Sequence, residues 1–168
     1  MSNEESKVLQ IISNFPNLDG RIRQIAPKRI FTDPLESGEF HQLVSYIHDE
    51  MGFFRAHHAV GVDDGENLGF IYIFSDEDNT ILAAKQTVPK ENPEIESLNK
   101  LYPSLLLHEL ELADLFGAVI SGLPDVPHYP LPDGWPEGSY PMRKEWKPEY
   151  FNKETMTYEP PEEVQKNG

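Results

Sequence analysis

The stretch Leu105–Gly117, Leu-Leu-Leu-His-Glu-Leu-Glu-Leu-Ala-Asp-Leu-Phe-Gly, constrains this chain most. It sets three carboxylates, Glu109, Glu111 and Asp114, among seven bulky apolar side chains. As a helix it places Glu111 and Asp114 on neighbouring surface, three residues apart. Leu105, Leu112 and Phe116, with Leu115, then run along an apolar side. Gly117 suits the position just past the helix end, where positive φ is tolerated. Acids so near a buried stripe are costly unless something pairs with them. The expected partners are Arg143 and Lys144, within the chain or across an interface.

The upstream chain supplies what such a helix packs on. Ser37–Met51 is the clearest further helix: Phe40, Leu43, Val44, Ile47 and Met51 recur at helical spacing, Gly52 stops it, and Ser37 is the expected N-cap. Burying that face is worth roughly 1.5–3 kcal/mol per large side chain before entropy is subtracted. Three strands are expected next: Phe53–Val62, Leu68–Phe74 and Thr80–Val88. Asp63-Asp64-Gly65 and the acidic run Ser75–Asn79 form the turns of this meander. Ser2–Ser13 reads as a short amphipathic helix, and Gly20–Phe31 as one edge strand broken near Pro27. Lys90–Tyr102 is expected to be a short helical segment between turns. The fold class is therefore α+β: a small mixed or antiparallel sheet with helices packed on it.

From Gly122 the texture changes. Gly122–Pro141 carries six prolines and three glycines, too many for a regular element. The chain divides into an α+β domain, 1–121, and an extended proline-rich strap and tail, 122–168. Trp135, Tyr140, Trp146, Tyr150 and Phe151 form a late aromatic group. It serves either to pin the strap on the domain or to anchor an interface.

Composition narrows the function. A net charge of −15 argues against nucleic acid and against direct docking on anionic lipid, and suits a basic protein partner or simple solubility. No apolar run is long enough to span a bilayer. The N-terminal residues do not read as a signal peptide, so the cytoplasm is expected. The chain has no cysteine, which excludes disulfides, a cysteine nucleophile and ordinary ligation of an iron–sulfur cluster.

The chemical motifs that can be sought are weak. His108-Glu109 lacks the second histidine four residues after the first that a zinc-protease helix needs. His57 and His58 point to opposite faces of a strand, and His41 and His48 are expected to be solvated. Phosphate-loop and nucleophile-elbow patterns are absent. Glu109, Glu111 and Asp114 could form an acid/base set, but structural ion pairing is the favoured reading.

Several motifs in register do point somewhere. Glu109, Glu111, Asp114, Phe116 and Gly117 are followed by Gly122, Pro124 and Asp125. Then come Leu131-Pro-Asp133-Gly-Trp135 and Pro141-Met-Arg143-Lys144-Glu145. This succession resembles the thirty-kilodalton subunit of respiratory complex I. That family carries Glu-Arg-Glu-x-x-Asp-x-Phe-Gly, Gly-His-Pro-Asp-x-Arg-Arg, Leu-x-Pro-Asp-Asp-Trp and Pro-Leu-Arg-Lys-Asp. Leu110 replaces a family arginine, Leu123 its histidine, and Pro127-His128 its paired arginines. The stretch Trp135–Lys144 is closer to relatives in membrane-bound energy-converting hydrogenases, formate hydrogenlyases and sulfane-reductase complexes.

The resemblance implies a non-catalytic peripheral-arm subunit with no cofactor or metal of its own. It would dock on a large catalytic-type subunit, near iron–sulfur clusters held by partner subunits, on the cytoplasmic side of a membrane. The alternatives are a true NADH:quinone-type dehydrogenase subunit, a stand-alone enzyme using the three acids, and a soluble acidic adaptor.

Overall fold

The computed structural model describes residues 3–161. Helix α1 spans Asn3–Asn14, a hairpin follows as β1 (Ile22–Ala26) and β2 (Arg29–Thr32), and α2 covers Ser37–Met51. The meander is β3 (Arg55–Asp63), β4 (Asn67–Ser75) and β5 (Ile81–Pro89). Then come β6 (Glu94–Glu96), α3 (Leu106–Phe116) and β7 (Val119–Ser121). A last small hairpin pairs β8 (Phe151–Asn152) with β9 (Thr157–Tyr158).

The main sheet has the order β1-β2-β5-β4-β3. It is mixed, because β2 runs parallel to β5 while the other neighbours are antiparallel. Period-two alternation explains its inner face. Leu68, Phe70, Tyr72 and Phe74 of β4 are fully buried, whereas Ile71 and Ile73 on the other face stay half-buried. Phe40, Leu43, Val44 and Ile47 of α2 are fully buried in the same core, with the Phe40 ring 5.1 Å from Tyr72.

Four expectations change. Gly20–Phe31 is two strands, not one: Lys28 takes a positive φ of 55° and reverses the chain after Pro27. Of the two, only β1 is an edge. Glu36, not Ser37, is the N-cap of α2; it has extended backbone, and its N–H donates to the Glu39 carboxylate at 3.4 Å. Lys90–Tyr102 contains no helix. Glu94-Ile95-Glu96 instead buries only its middle residue and pairs in parallel with β7. His41 and His48 are half-buried, each edge-on to an aromatic ring, Phe40 for the first and Phe54 and Tyr102 for the second.

Helix α3 closes the layer over β3. Gly61 makes this possible: a Cβ there would lie 2.3 Å from Cε2 of Phe116. Gly117 ends the helix with φ 74°, in the left-handed region that favours glycine. Residues 122–141 form no helix or strand, as their prolines require.

Candidate functional site

The three acids of α3 have three different environments. Glu109 is fully buried and accepts hydrogen bonds from the Ser97 hydroxyl and the Leu98 N–H, the latter at 2.8 Å. It therefore fastens the turn after β6 to α3. Burial pushes its carboxyl above the ordinary 4.5, opposed by Ser97, Leu98 and the nearby Tyr72 hydroxyl. Glu111 is half-exposed and makes only a loose 3.8 Å contact with Nδ1 of His108, whose ring packs on His58. Asp114 is nearly buried. It accepts from His128 at 2.9 Å and from the Leu131 N–H at 3.2 Å.

None of these acids meets Arg143 or Lys144 within the chain. Nε of Arg143 donates to the Phe116 carbonyl at 2.7 Å, one of the orphan acceptors at the end of α3. Its guanidinium lies 4.5 Å over the Tyr140 ring, and that ring in turn covers Gly117. Lys144 contributes its backbone: the N–H donates to Asp63 at 2.8 Å. The reason is positional. The C-terminus of α3 offers unpaired carbonyls, which draw a cation to the backbone rather than to the acids one or two turns earlier.

Asp63 is the residue that sequence reasoning missed. It sits at the end of β3, and in the sequence it looks like no more than part of a turn. Its carboxylate accepts from the Gly65 N–H at 2.8 Å, the Lys144 N–H and Nζ of Lys90 at 2.7 Å. Lys90 also reaches Glu145 at 2.8 Å. Burial alone would raise the Asp63 carboxyl, but the bonds from Lys90, Lys144 and Gly65 outweigh it and hold it at about 2. An aspartate followed two residues on by glycine was the available signal, yet it marks only the local bond to Gly65.

The strap is thus fastened at both ends of the α3–β3 layer: by Asp114 to His128 and Leu131, by Phe116 to Arg143, and by Asp63 to Lys144. Between strap and helix lies an open groove of about 580 Å³, lined by Leu110, Ala113 and Asp114 on one side and by Val126, His128 and Trp135 among others opposite. Asp114 holds His128 above its ordinary 6.5 through their hydrogen bond. The late aromatics pack on one another. Trp135 lies 4.6 Å from Phe151 and 6.2 Å from Trp146, and Trp146 stacks on Tyr158 at 5.7 Å. Both indole N–H groups donate to Ser139. Tyr140 stands apart from this group, against Gly117, and Tyr158 takes part in it. Pro124, Asp125 and Asp133 are exposed, and Pro141 is half-buried.

Among the described residues no group of three or more metal-ligating side chains converges, and no helix is long and apolar enough to cross a membrane. What the geometry offers is a layer of sheet and helix with a strap bound across its end. Residues 35–152 match the family described as respiratory-chain NADH dehydrogenase, 30 Kd subunit, and the chain belongs to that family. It is accordingly a subunit of a respiratory oxidoreductase complex.

Particular relatives sharpen this. Over 155 residues, covering 88% of each chain, it is 29% identical to the membrane-bound hydrogenase subunit beta of Pyrococcus furiosus. It is 36% identical over 90 residues to an NADH-quinone oxidoreductase subunit of Chloroherpeton thalassium, where it spans only 37% of that protein. In fold it is similar to a chain of the membrane-bound sulfane sulfur reductase, an archaeal respiratory membrane complex. The TM-score is 0.74 at 19% identity, over 87% of this chain and 86% of that one. A trypsin-resistant fragment of Nqo5 aligns with TM-score 0.59 and 23% identity, over 70% of this chain and 98% of the fragment.

One consequence concerns Glu109 directly. Its folded carboxyl titrates above 4.5, so the native state keeps this proton to higher pH than the unfolded chain does. Ionising it costs stability as pH rises above 4.5. Glu109→Gln removes that cost and keeps an acceptor for Leu98. Relative to the parent, the variant gains stability on going from about pH 4 to about pH 8 in urea melts. An equal difference at both pH values would show that ionisation of Glu109 is not what its burial opposes.

Proposed function

We propose that this chain is a non-catalytic, peripheral subunit of a membrane-bound oxidoreductase of hydrogenase or sulfane-reductase type. It docks on the large catalytic-type subunit at the cytoplasmic side of the membrane and stiffens it near an iron–sulfur relay carried by partner subunits. The observation that carries this reading is the similarity to the hydrogenase subunit beta along 88% of both chains, set against partial matches to the longer NADH-quinone oxidoreductase subunits. Two of the three acids support it by what they are occupied with. Glu109 and Asp114 are committed to the turn after β6 and to the strap, which suits a framework role better than proton transfer to a substrate.

Tagging the chain in its native host and solubilising the membranes in mild detergent tests this reading. Iron–sulfur and hydrogenase-like large subunits should copurify with it. A chain recovered alone, turning over a small molecule, would overturn it.

The same preparation tests Arg143. Arg143→Ala frees the Phe116 carbonyl and loosens the strap on α3. The expected result is several-fold less assembled complex on native gels with unchanged turnover per assembled complex. Full assembly with lost turnover would mean that the guanidinium takes part in chemistry.

A further inference from the structure

The three α-helices pack on one side of the main sheet. Phe40 of α2 meets Tyr72, and Phe15, just after α1, meets Tyr46 of α2 with ring centroids 5.3 Å apart. Phe116 of α3 fills the space over Gly61, which is opposite Phe70. Every buried apolar side chain of β1–β5 belongs to that side. Among the described residues no helix lies across the other side; α3 reaches it only at the β3 edge, where the His108 ring meets His58 at 4.2 Å. Phe31, Ile71, Ile73 and Ile81 are half-buried there, and Val60 is exposed.

The charge on this bare face opposes that of the chain. Its strand positions carry Arg23, Arg29, Arg55 and Lys85 and no aspartate or glutamate, although the net charge is −15. Arg23 and Lys85 are answered from beyond the strand ends by Asp33 at 2.7 Å and Asp64 at 2.6 Å. Arg29 and Arg55 are exposed, and among the described residues they bond only the backbone carbonyls of Lys28 at 2.9 Å and Asp76 at 3.2 Å. The carboxylates of Asp76 and Asp78, in the next turn, are drawn to Lys7 of α1 on the covered side. The registers set Arg29, Ile81, Ser75 and Arg55 in one row across four strands, so the two arginines stand about 14 Å apart. Phe31, Ala83 and Ile73 form the next row, and Ile71 faces Val60 in the one after.

We propose that the helix-free face of the sheet docks another protein subunit, through a partner surface with an apolar centre and carboxylates that meet Arg29 and Arg55. A guanidinium takes a carboxylate by two parallel bonds, which strengthen once water is excluded. The apolar rows beside the two arginines supply that exclusion. Nucleic acid and anionic lipid fit less well. Two of the four cations are already neutralised, the overall charge repels a polyanion, and phosphate makes no use of the apolar rows. A second copy offering the same face would set cations against a face without carboxylates. No residue of this face lines the groove between strap and α3, so the two surfaces are separate. The inference goes beyond the proposed function: it requires a protein partner, not a particular complex.

Arg29→Lys and Arg55→Lys keep the charge and supply a primary amine, which carbodiimide joins to a carboxylate in contact with it. In the complex purified through the tagged chain, such coupling should link position 29 or 55 to an aspartate or glutamate of a different subunit, a product absent from the parent. The double variant Arg29→Glu/Arg55→Glu should copurify about tenfold less of that subunit, or lower still, with an unchanged Tm. The coupling experiment decides the matter if the double variant does not fold. Undiminished recovery of the partner by a folded double variant would overturn the proposal, as would coupling only to a second copy of this chain or to nothing. Phosphatidylglycerol vesicles that bind the parent but not the double variant would assign the face to lipid instead.

Discussion

Asp63→Ala should lower the unfolding free energy by about 3 kcal/mol, among the largest effects expected of any single change in this chain. Removing one member of a buried ion pair leaves the other without its counter-charge. Lys90 is 17% exposed and keeps Glu145, which places the loss at the lower end of the usual range. The N–H groups of Gly65 and Lys144 also lose their acceptor. Asp63→Asn removes the charge and keeps one acceptor oxygen where the carboxylate offers two, one to Gly65 and one to Lys144. The Asp63 carboxyl is held at about 2 against an ordinary 3.8. Its contribution is therefore complete above pH 3.8 and disappears as pH falls through 2, a change of about 2 kcal/mol. Urea melts across that window should show a steep acid limb in the parent and a flatter one in Asp63→Asn. Parallel limbs would mean that the carboxylate is not ionically held. In either variant, hydrogen exchange at Lys144 should accelerate, because this N–H is the bond that brings the strap to the end of β3.

Why this clamp escaped a reading of the sequence is a matter of range. Asp63 and Lys144 are 81 residues apart, and the lysine contributes a backbone N–H that any residue but proline possesses. Arg143 likewise binds a carbonyl. Side-chain pairing by opposite charge suggested Glu109, Glu111 and Asp114 as partners, and charge says nothing about backbone acceptors at a helix end. The helix α2 and the meander β3–β5 were legible because their patterns extend over nine residues or more. Strands β6 and β7 have three residues each, too few for a period to emerge. The β1–β2 turn depends on a lysine with positive φ, where the usual glycine or asparagine signal is missing. The helix Leu105–Gly117 was legible in extent, apart from its first residue. Pro103–Leu105 is a separate 3₁₀ turn, with Leu106 beginning the α-helix. Which of its acids was buried was not legible, since that depends on the unforeseen position of β6.

The second large effect is expected at Gly61. It lies mid-strand in β3 opposite Phe70, and nothing about a glycine there suggests a turn. Its role is space: an added Cβ would meet Cε2, Cδ2 and Cζ of Phe116 at 2.3–2.7 Å. That ring is only 5% exposed. It is also the last residue of α3, with Gly117 behind it and its own carbonyl bonded to Arg143. The ring cannot yield without moving the helix end and the strap together. Gly61→Ala should therefore cost about 3 kcal/mol, the upper end for overpacking, and lower Tm by roughly 6–12 °C for a chain of this size. Phe116→Leu alone opens a cavity and destabilises as well. Combined, the two should restore part of the loss, because the smaller side chain makes room for the methyl group. A positive coupling in the double-mutant cycle is the expected signature. Strictly additive losses would show that Gly61 and Phe116 do not compete for the same space, and that α3 is held on β3 by something other than this contact.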